Sequence, residues 1–109
     1  MKFKVETINS FDRQLKRLAK KFPSLKNEMN LLADELEFNP SSGDSLGNNC
    51  YKIRIPIASK GKGKRGGGRI ITCVKVVRQT VYLLCIYDKS EQPDISDNDL
   101  KFLVSKIPI

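Results

Sequence analysis

YKIRIPI at residues 51–57, RIITCVKVV at 69–77 and TVYLLCIY at 80–87 decide the fold class of this 109-residue chain. In the first run Tyr51, Ile53, Ile55 and Ile57 alternate with Lys52, Arg54 and Pro56. A period of two is that of a half-buried strand, with the isoleucines inward and Lys52 and Arg54 together on the other face. The next two runs are almost continuously apolar or β-branched, as central strands are. Arg78-Gln79 is expected to join them as a tight connection, without the Gly or Asn such turns favour.

Upstream, Lys2 to Ile8 reads as a short strand, Phe3 and Val5 alternating with charged residues. Ser10 is placed to cap a helix over about 10–22 whose Phe11, Leu15, Leu18, Ala19 and Phe22 form one stripe at helical period. Pro23 ends it. Ser24 is placed to cap a second helix over 24–38, carrying Leu25, Met29, Leu32, Ala33 and Leu36. Asn39-Pro40 stops that helix, and GDSLGNN at 43–49 reads as a polar loop. Gln92-Pro93-Asp94 is a turn, and Ser96 with Asp99 resembles a capping box for a last helix with Leu100, Leu103, Val104 and Ile107 inward. The expected order is β-α-α-β-β-β-α: one α+β domain over 1–109, a small antiparallel sheet with an αα-hairpin on one face.

The charge is uneven. Net charge is +8, yet Ser45 to Tyr87 contains no acidic residue and nine basic ones: Lys52, Arg54, Lys60, Lys62, Lys64, Arg65, Arg69, Lys75 and Arg78. The remainder is close to neutral, so the excess lies in one segment and points to a polyanionic partner. Within it, Ser59 to Gly68 is a glycine-rich basic loop. Its glycines allow close backbone approach, and its Lys60, Lys62, Lys64 and Arg65 suit the attraction of a phosphodiester chain. It lacks GxxxxGK[ST], so a nucleotide P-loop is not supported.

Other chemistry is sparse. There is no His, and Cys50, Cys73 and Cys85 form no CxxC, so a zinc site and an activated thiol are both disfavoured. The cysteines read as buried, reduced packing residues. Tyr51, Tyr82 and Tyr87 read first as sheet packing, and Asp88, Lys89 and Glu91 as a charged turn. No apolar run approaches the ~18 residues of a membrane span. The opening MKFKVETINSF lacks a signal-peptide core, so a cytoplasmic address without a membrane partner is expected.

CYKIRIPIASKGKGKRGGGRIITCV, followed by VYLLCIYDKSEQPDIS, resembles the RelE/ParE toxin superfamily, and within it HigB-like members. They share a Y-K-I-R strand, a G-K-R-G-G-x-R loop and an I-Y-x-K-x-E strand end. The resemblance covers nearly the whole chain. It implies the toxin of a type II toxin–antitoxin module: a ribosome-dependent endoribonuclease that cleaves mRNA in the A site. No metal or other cofactor is implied, and the expected partners are the ribosome, mRNA and an antitoxin of helix-turn-helix type. Lys52 and Arg54 match the two basic positions of the family's strand, Arg69 the arginine opening the next, and Lys89 a basic position at the last strand's exit.

The resemblance implies that Arg69 stabilises charge on the phosphate, Arg54 orients it, and Lys52 accepts the 2′ proton or holds the phosphate. Lys60, Lys62, Lys64, Arg65, Lys75 and Arg78 are assigned to RNA and ribosome binding. Ser90 and Ser96 stand where some members carry Arg and Tyr, which leaves Tyr87 and Lys89 to protonate the leaving group. Two alternatives stay open on the residues: a ParE-like inhibitor of DNA gyrase without nuclease activity, and a non-enzymatic nucleic-acid-binding module.

Overall fold

The computed structural model describes residues 2–61 and 67–108. The elements are β1 (Lys4–Thr7), α1 (Asn9–Lys21), α2 (Leu25–Phe38), β2 (Asp44–Gly47), β3 (Cys50–Ile55), a 3-10 turn (Ala58–Lys60), β4 (Gly68–Lys75), β5 (Thr80–Asp88) and α3 (Asp97–Ser105). The strands form one sheet in the order β1-β5-β4-β3-β2. The α+β class and the helical hairpin on one face agree with the sequence reading.

The sheet is mixed rather than antiparallel. β1 runs parallel to β5, from Lys4 opposite Thr80 to Thr7 opposite Leu83, while the remaining pairs are antiparallel. Hairpin connections force antiparallel neighbours from β2 to β5, but no hairpin joins β1 to β5: the two helices carry the chain from β1 to β2 at the far edge, which leaves β1 able to lie parallel to β5.

Residues 44–47, read as polar loop, are a strand. Asn48 and Asn49 hold φ of 52° and 62°, the left-handed pair of a two-residue hairpin turn that Asn tolerates. The strand expected over 69–77 ends at Lys75, leaving Val77 fully exposed in a turn. There the Gln79 N–H bonds the Val76 carbonyl at 3.0 Å, and Gln79 itself takes φ of 50° in place of the missing glycine.

Both helical stripes face the sheet. Phe11, Leu18 and Phe22 of the first and Leu25, Met29, Leu32 and Leu36 of the second are buried with Ile53, Ile55, Ile57, Ile70, Val74 and Val81. The expected serine caps are not made. Ile8 is the N-cap of α1, and the Ser10 hydroxyl instead donates to the Leu84 carbonyl at 2.9 Å. Ser24 occupies the N-cap of α2, but its hydroxyl donates to Glu28 at 2.9 Å and accepts from the Ser59 N–H at 3.0 Å.

Ser10 has a reason to face the sheet. β4 and β5 slip register where Ile71 lies opposite Cys85 but Thr72 opposite Leu83, so Leu84 is a bulge residue. β1 stops at Leu83, and the bared edge of β5 is completed by α1. Ser10 takes the Leu84 carbonyl, and Gln14, one turn on, accepts from the Ile86 N–H at 3.1 Å.

On the opposite face, Leu100, Leu103 and Val104 of α3 pack over Cys50, Ile71, Cys73, Tyr82, Leu84 and Cys85. Ser96 caps α3 as expected, accepting from the Asp99 N–H at 3.1 Å.

A buried ion pair fixes the start of the basic loop. Lys60 Nζ donates to Asp88 Oδ1 and, at 3.0 Å, to Ser90 Oγ, and the Lys60 and Asp88 side chains are only 8% and 2% exposed. At the loop's far end Gly67 lies so close to Ile55 that a Cβ would collide with its carbonyl oxygen. Burial alone would raise the Asp88 carboxyl, but hydrogen bonds from Lys60 and Ser90 outweigh it and hold it below its ordinary value. A depressed carboxylate contributes stability that is present above its unfolded pKa near 4 and is lost as pH falls through its folded value. Asp88→Asn should therefore lower unfolding free energy by about 3–5 kcal/mol at pH 7, on the scale of an orphaned buried charge. Urea titrations down to pH 2 should show a steeper acid loss for the wild type than for the variant; parallel curves would remove Asp88 from this role.

Candidate active site

Register brings the sequence-selected residues into one row. Arg54 of β3 lies opposite Arg69 of β4, and Arg69 lies opposite Tyr87 of β5. Facing residues on adjacent strands have Cβ atoms ~5 Å apart, so the three side chains occupy neighbouring positions on one face. That face is the one away from α1 and α2, because Ile53, Ile55 and Ile70 point into the helical layer. Lys52 joins the row one pleat along, opposite Ile71. Lys89 follows directly on β5, exposed, its N–H donating to the Gly67 carbonyl at 3.2 Å.

The members differ in environment. Arg54 is exposed, whereas Arg69 is 4% exposed and donates to its neighbour Gly68's carbonyl at 2.9 Å. Tyr87 is also 4% exposed, and its hydroxyl is buried without a hydrogen-bond partner among the described residues. Burial pushes its phenol up to about 12, Asp94 and Cys85 adding to the rise and Arg69 opposing it. A phenol in this setting is protonated at neutral pH, so it is a donor and not a base.

A strap crosses this end of the sheet. Residues 89–96 leave β5, and Asp94 Oδ1 reaches Lys52 Nζ of β3 at 3.3 Å, two strands and about 10 Å away. Ile95 packs on the cluster that contains Tyr87, and Gln92 and Ile95 enclose with Tyr87 and Gln14 a cavity of about 210 Å³. The strap is also held near its start, where Glu91 pairs with Arg17 of α1 at 3.3 Å. The Ile95 N–H and the Lys52 ammonium together hold the Asp94 carboxyl below its ordinary value. The absence of acids between Ser45 and Tyr87 suggested an unpaired cationic face; Asp94, from outside that segment, corrects this for Lys52.

Among the described residues, the basic side chains assigned to RNA binding do not converge. Lys60 is taken into the Asp88 ion pair. Lys75 and Arg78 lie at the opposite end of the β4–β5 hairpin, about 20 Å from Arg69 by strand rise. There Arg78 donates to the Tyr82 hydroxyl at 3.1 Å and to the Pro108 carbonyl at 2.6 Å, tethering the tail. Lys62, Lys64 and Arg65 lie outside the described residues. No group of three His, Cys, Asp or Glu side chains is arranged to hold a metal among the described residues. No helix among them is long and apolar enough to cross a membrane.

Asp94 was missed as a site residue. Its partner is 42 positions away, and a Gln-Pro-Asp turn carries no local signal of that pairing.

Residues 9–106 match the family described as the RelE toxin of the RelE/RelB toxin–antitoxin system. Among solved structures, an arginine-to-alanine double mutant of the E. coli toxin RelE in its free state superposes with a TM-score of 0.63. The match covers 99% of this chain and 100% of that one at 16% sequence identity, a likeness of fold. The family match spans nearly the whole sheet, both covering helices and the Arg54–Arg69–Tyr87 row, and on it the chain belongs to the RelE toxin family of toxin–antitoxin systems.

Proposed function

We propose that this toxin is a ribosome-dependent endoribonuclease that cuts mRNA in the A site, working without a metal, and that a cognate antitoxin holds it silent. The observation that carries the reading is the Arg54–Arg69–Tyr87 row, two guanidinium groups beside a protonated phenol on one sheet face. The RNA 2′-hydroxyl attacks the adjacent phosphorus and the 5′-oxygen departs. Arg54 orients the phosphate bidentately, and Arg69, fixed by burial and by Gly68, meets the charge that develops on its oxygens. Tyr87 or Lys89 protonates the leaving oxygen. Lys52 takes the 2′ proton or a phosphate oxygen once RNA draws it from Asp94.

A face with no histidine and no paired carboxylates is a weak catalyst on its own, so alignment of the substrate by the ribosome is integral to the proposal. Purified protein added to translating ribosomes should give RNA ends within A-site codons; intact message with inhibited gyrase, or binding without any cut, would replace this reading.

Arg69→Ala should lower single-turnover cleavage ~10²-fold or more while ribosome affinity changes little, with Arg69→Lys kept as a folded comparison. Replacing Lys62 and Lys64 with Ala should instead weaken affinity and flatten its salt dependence, leaving the rate at saturation near wild type. Normal cutting by the bound Arg69 variant would remove that residue from the chemistry.

Tyr87→Phe separates folding from chemistry. The hydroxyl it deletes is buried and unpartnered, so the melting temperature should hold or rise by a few degrees. Cleavage should nevertheless fall ~10²-fold if the phenol protonates the leaving group. A rate unchanged from wild type would leave that task to Lys89.

A further inference from the structure

Two of the three cysteines face each other. Cys50 of β3 lies directly opposite Cys73 of β4, on the face covered by α3, with 2% and 1% exposure. The next pair outward is bonded, the Val74 N–H donating to the Asn49 carbonyl at 2.8 Å. In an antiparallel ladder bonded and non-bonded pairs alternate, so Cys50 and Cys73 form a non-hydrogen-bonded pair. Such pairs have Cα atoms ~4.5 Å apart and the closer side chains, within the range a disulfide spans without backbone movement. Cys85 stands apart, opposite Ile71 on the next strand.

One member of the pair, Cys50, borders open space. A groove of about 360 Å³ between the β2–β3 hairpin and α3 is lined by Leu46, Gly47, Asn48, Leu100 and Val104 and has Cys50 in its wall. With the two sulfurs this buried, a molecule the size of water or peroxide is better suited to reach them through this groove than another protein is.

We propose that Cys50 and Cys73 are a reversible oxidation site, at which a small peroxide closes a disulfide across β3 and β4. The thiolate of the pair attacks one peroxide oxygen, expelling the other as water and leaving a sulfenic acid. The facing sulfur then attacks that sulfur and releases the second water. Two thiols lose two electrons and two protons, and one peroxide is reduced to two waters. The two thiols share their protons unequally: interaction with Cys50 and, to a lesser degree, Lys75 holds the Cys73 thiol below its ordinary value against burial, while Cys50 is pushed up. Cys85 has no such partner, and burial pushes it up to about 12.

The location gives the bond a consequence. Residues 50–73 span β3, the basic loop and the first part of β4, with Lys52, Arg54 and Arg69 among them. A disulfide closes this cationic hairpin into a ring at the end remote from its loop. Oxidation thus staples the two strands that hold Arg54 opposite Arg69 and lets a hairpin nicked in its loop stay one covalent chain.

The test uses the full-length protein, reduced and then exposed to hydrogen peroxide under native conditions, with peptide mapping before and after dithiothreitol. The expected product is one linked Cys50–Cys73 peptide pair, lighter by about 2 Da than the two thiol peptides and reopened by reductant, with Cys85 still alkylated after denaturation. The oxidised protein should melt several degrees higher than the reduced, and Cys85→Ser should behave as wild type. Cys50→Ala should lose both the link and the shift; because the wild-type map stands alone, a misfolded variant does not decide the matter. Links through Cys85, dimers between chains, or overoxidised thiols without a Cys50–Cys73 link would overturn the assignment.

Discussion

Alternation of side chains across β3 and β4, with one face committed to the helices, is the constraint from which the rest of the molecule follows. Ile53, Ile55 and Ile70 are buried under α1 and α2 with Leu18, Leu25 and Leu36. Each such side chain is worth roughly 1.5–3 kcal/mol out of water. A slip of one residue along β3 would expose Ile53 and Ile55 and drive Lys52 and Arg54 into that layer, where an unpaired cation is far more costly than the isoleucine it displaces. The register that opposes Arg54 to Arg69 is therefore held by apolar residues that never approach the site.

Holding cations together has its own cost, and the chain meets it locally. Lys60 is neutralised in the interior by Asp88 and its stem lies over the Phe22 ring, with Nζ 5.6 Å from the centroid. Lys52 is matched by Asp94, but at a partly exposed position where an ion pair is weak and a phosphate competes well. Arg69 is buried and donates to the Gly68 carbonyl beside it, which fixes the direction of its guanidinium group. The interior pair thus anchors the loop, while the peripheral one is exchangeable. Tyr87 sits between these regimes, close to Arg69 and Asp94 and without a bond to either.

The sequence made legible whatever depends on periodicity within a segment. The stripes of α1 and α2, the two-residue alternation of β3 and the Ser96 cap are local patterns, and all are present. That Arg54 and Arg69 come together was legible one step further, since strands joined by a single loop have few ways to pair; that Tyr87 lies in the same row was not. What escaped depends on partners far apart. Ser10 looked like a cap because a bulge at Leu84, on the far side of the chain, cannot be seen in NSFDRQ. Asp94 looked like a turn residue, Lys60 like one more RNA-binding lysine of the loop, and β1 like another antiparallel strand, for the same reason. The β2–β3 hairpin is a different case. Asn48-Asn49 carries a turn signal, but DSLG is too polar to read as a strand because β2 is an exposed edge.

The parallel seam between β1 and β5 bears on how the protein comes into being. The first strand has no sheet neighbour until residues 80–83 exist, so the contact that closes the sheet spans about seven tenths of the chain. Such long-range closure is slow, because the entropy of the intervening loop is lost before the pairing is gained. During synthesis the helical hairpin can form early but has only an incomplete surface to bury its leucines on until β4 and β5 emerge. Tyr87 arrives with the last of these strands, and Asp94 later still. A chain that stops short of β5 therefore carries its basic segment without the Arg54–Arg69–Tyr87 row.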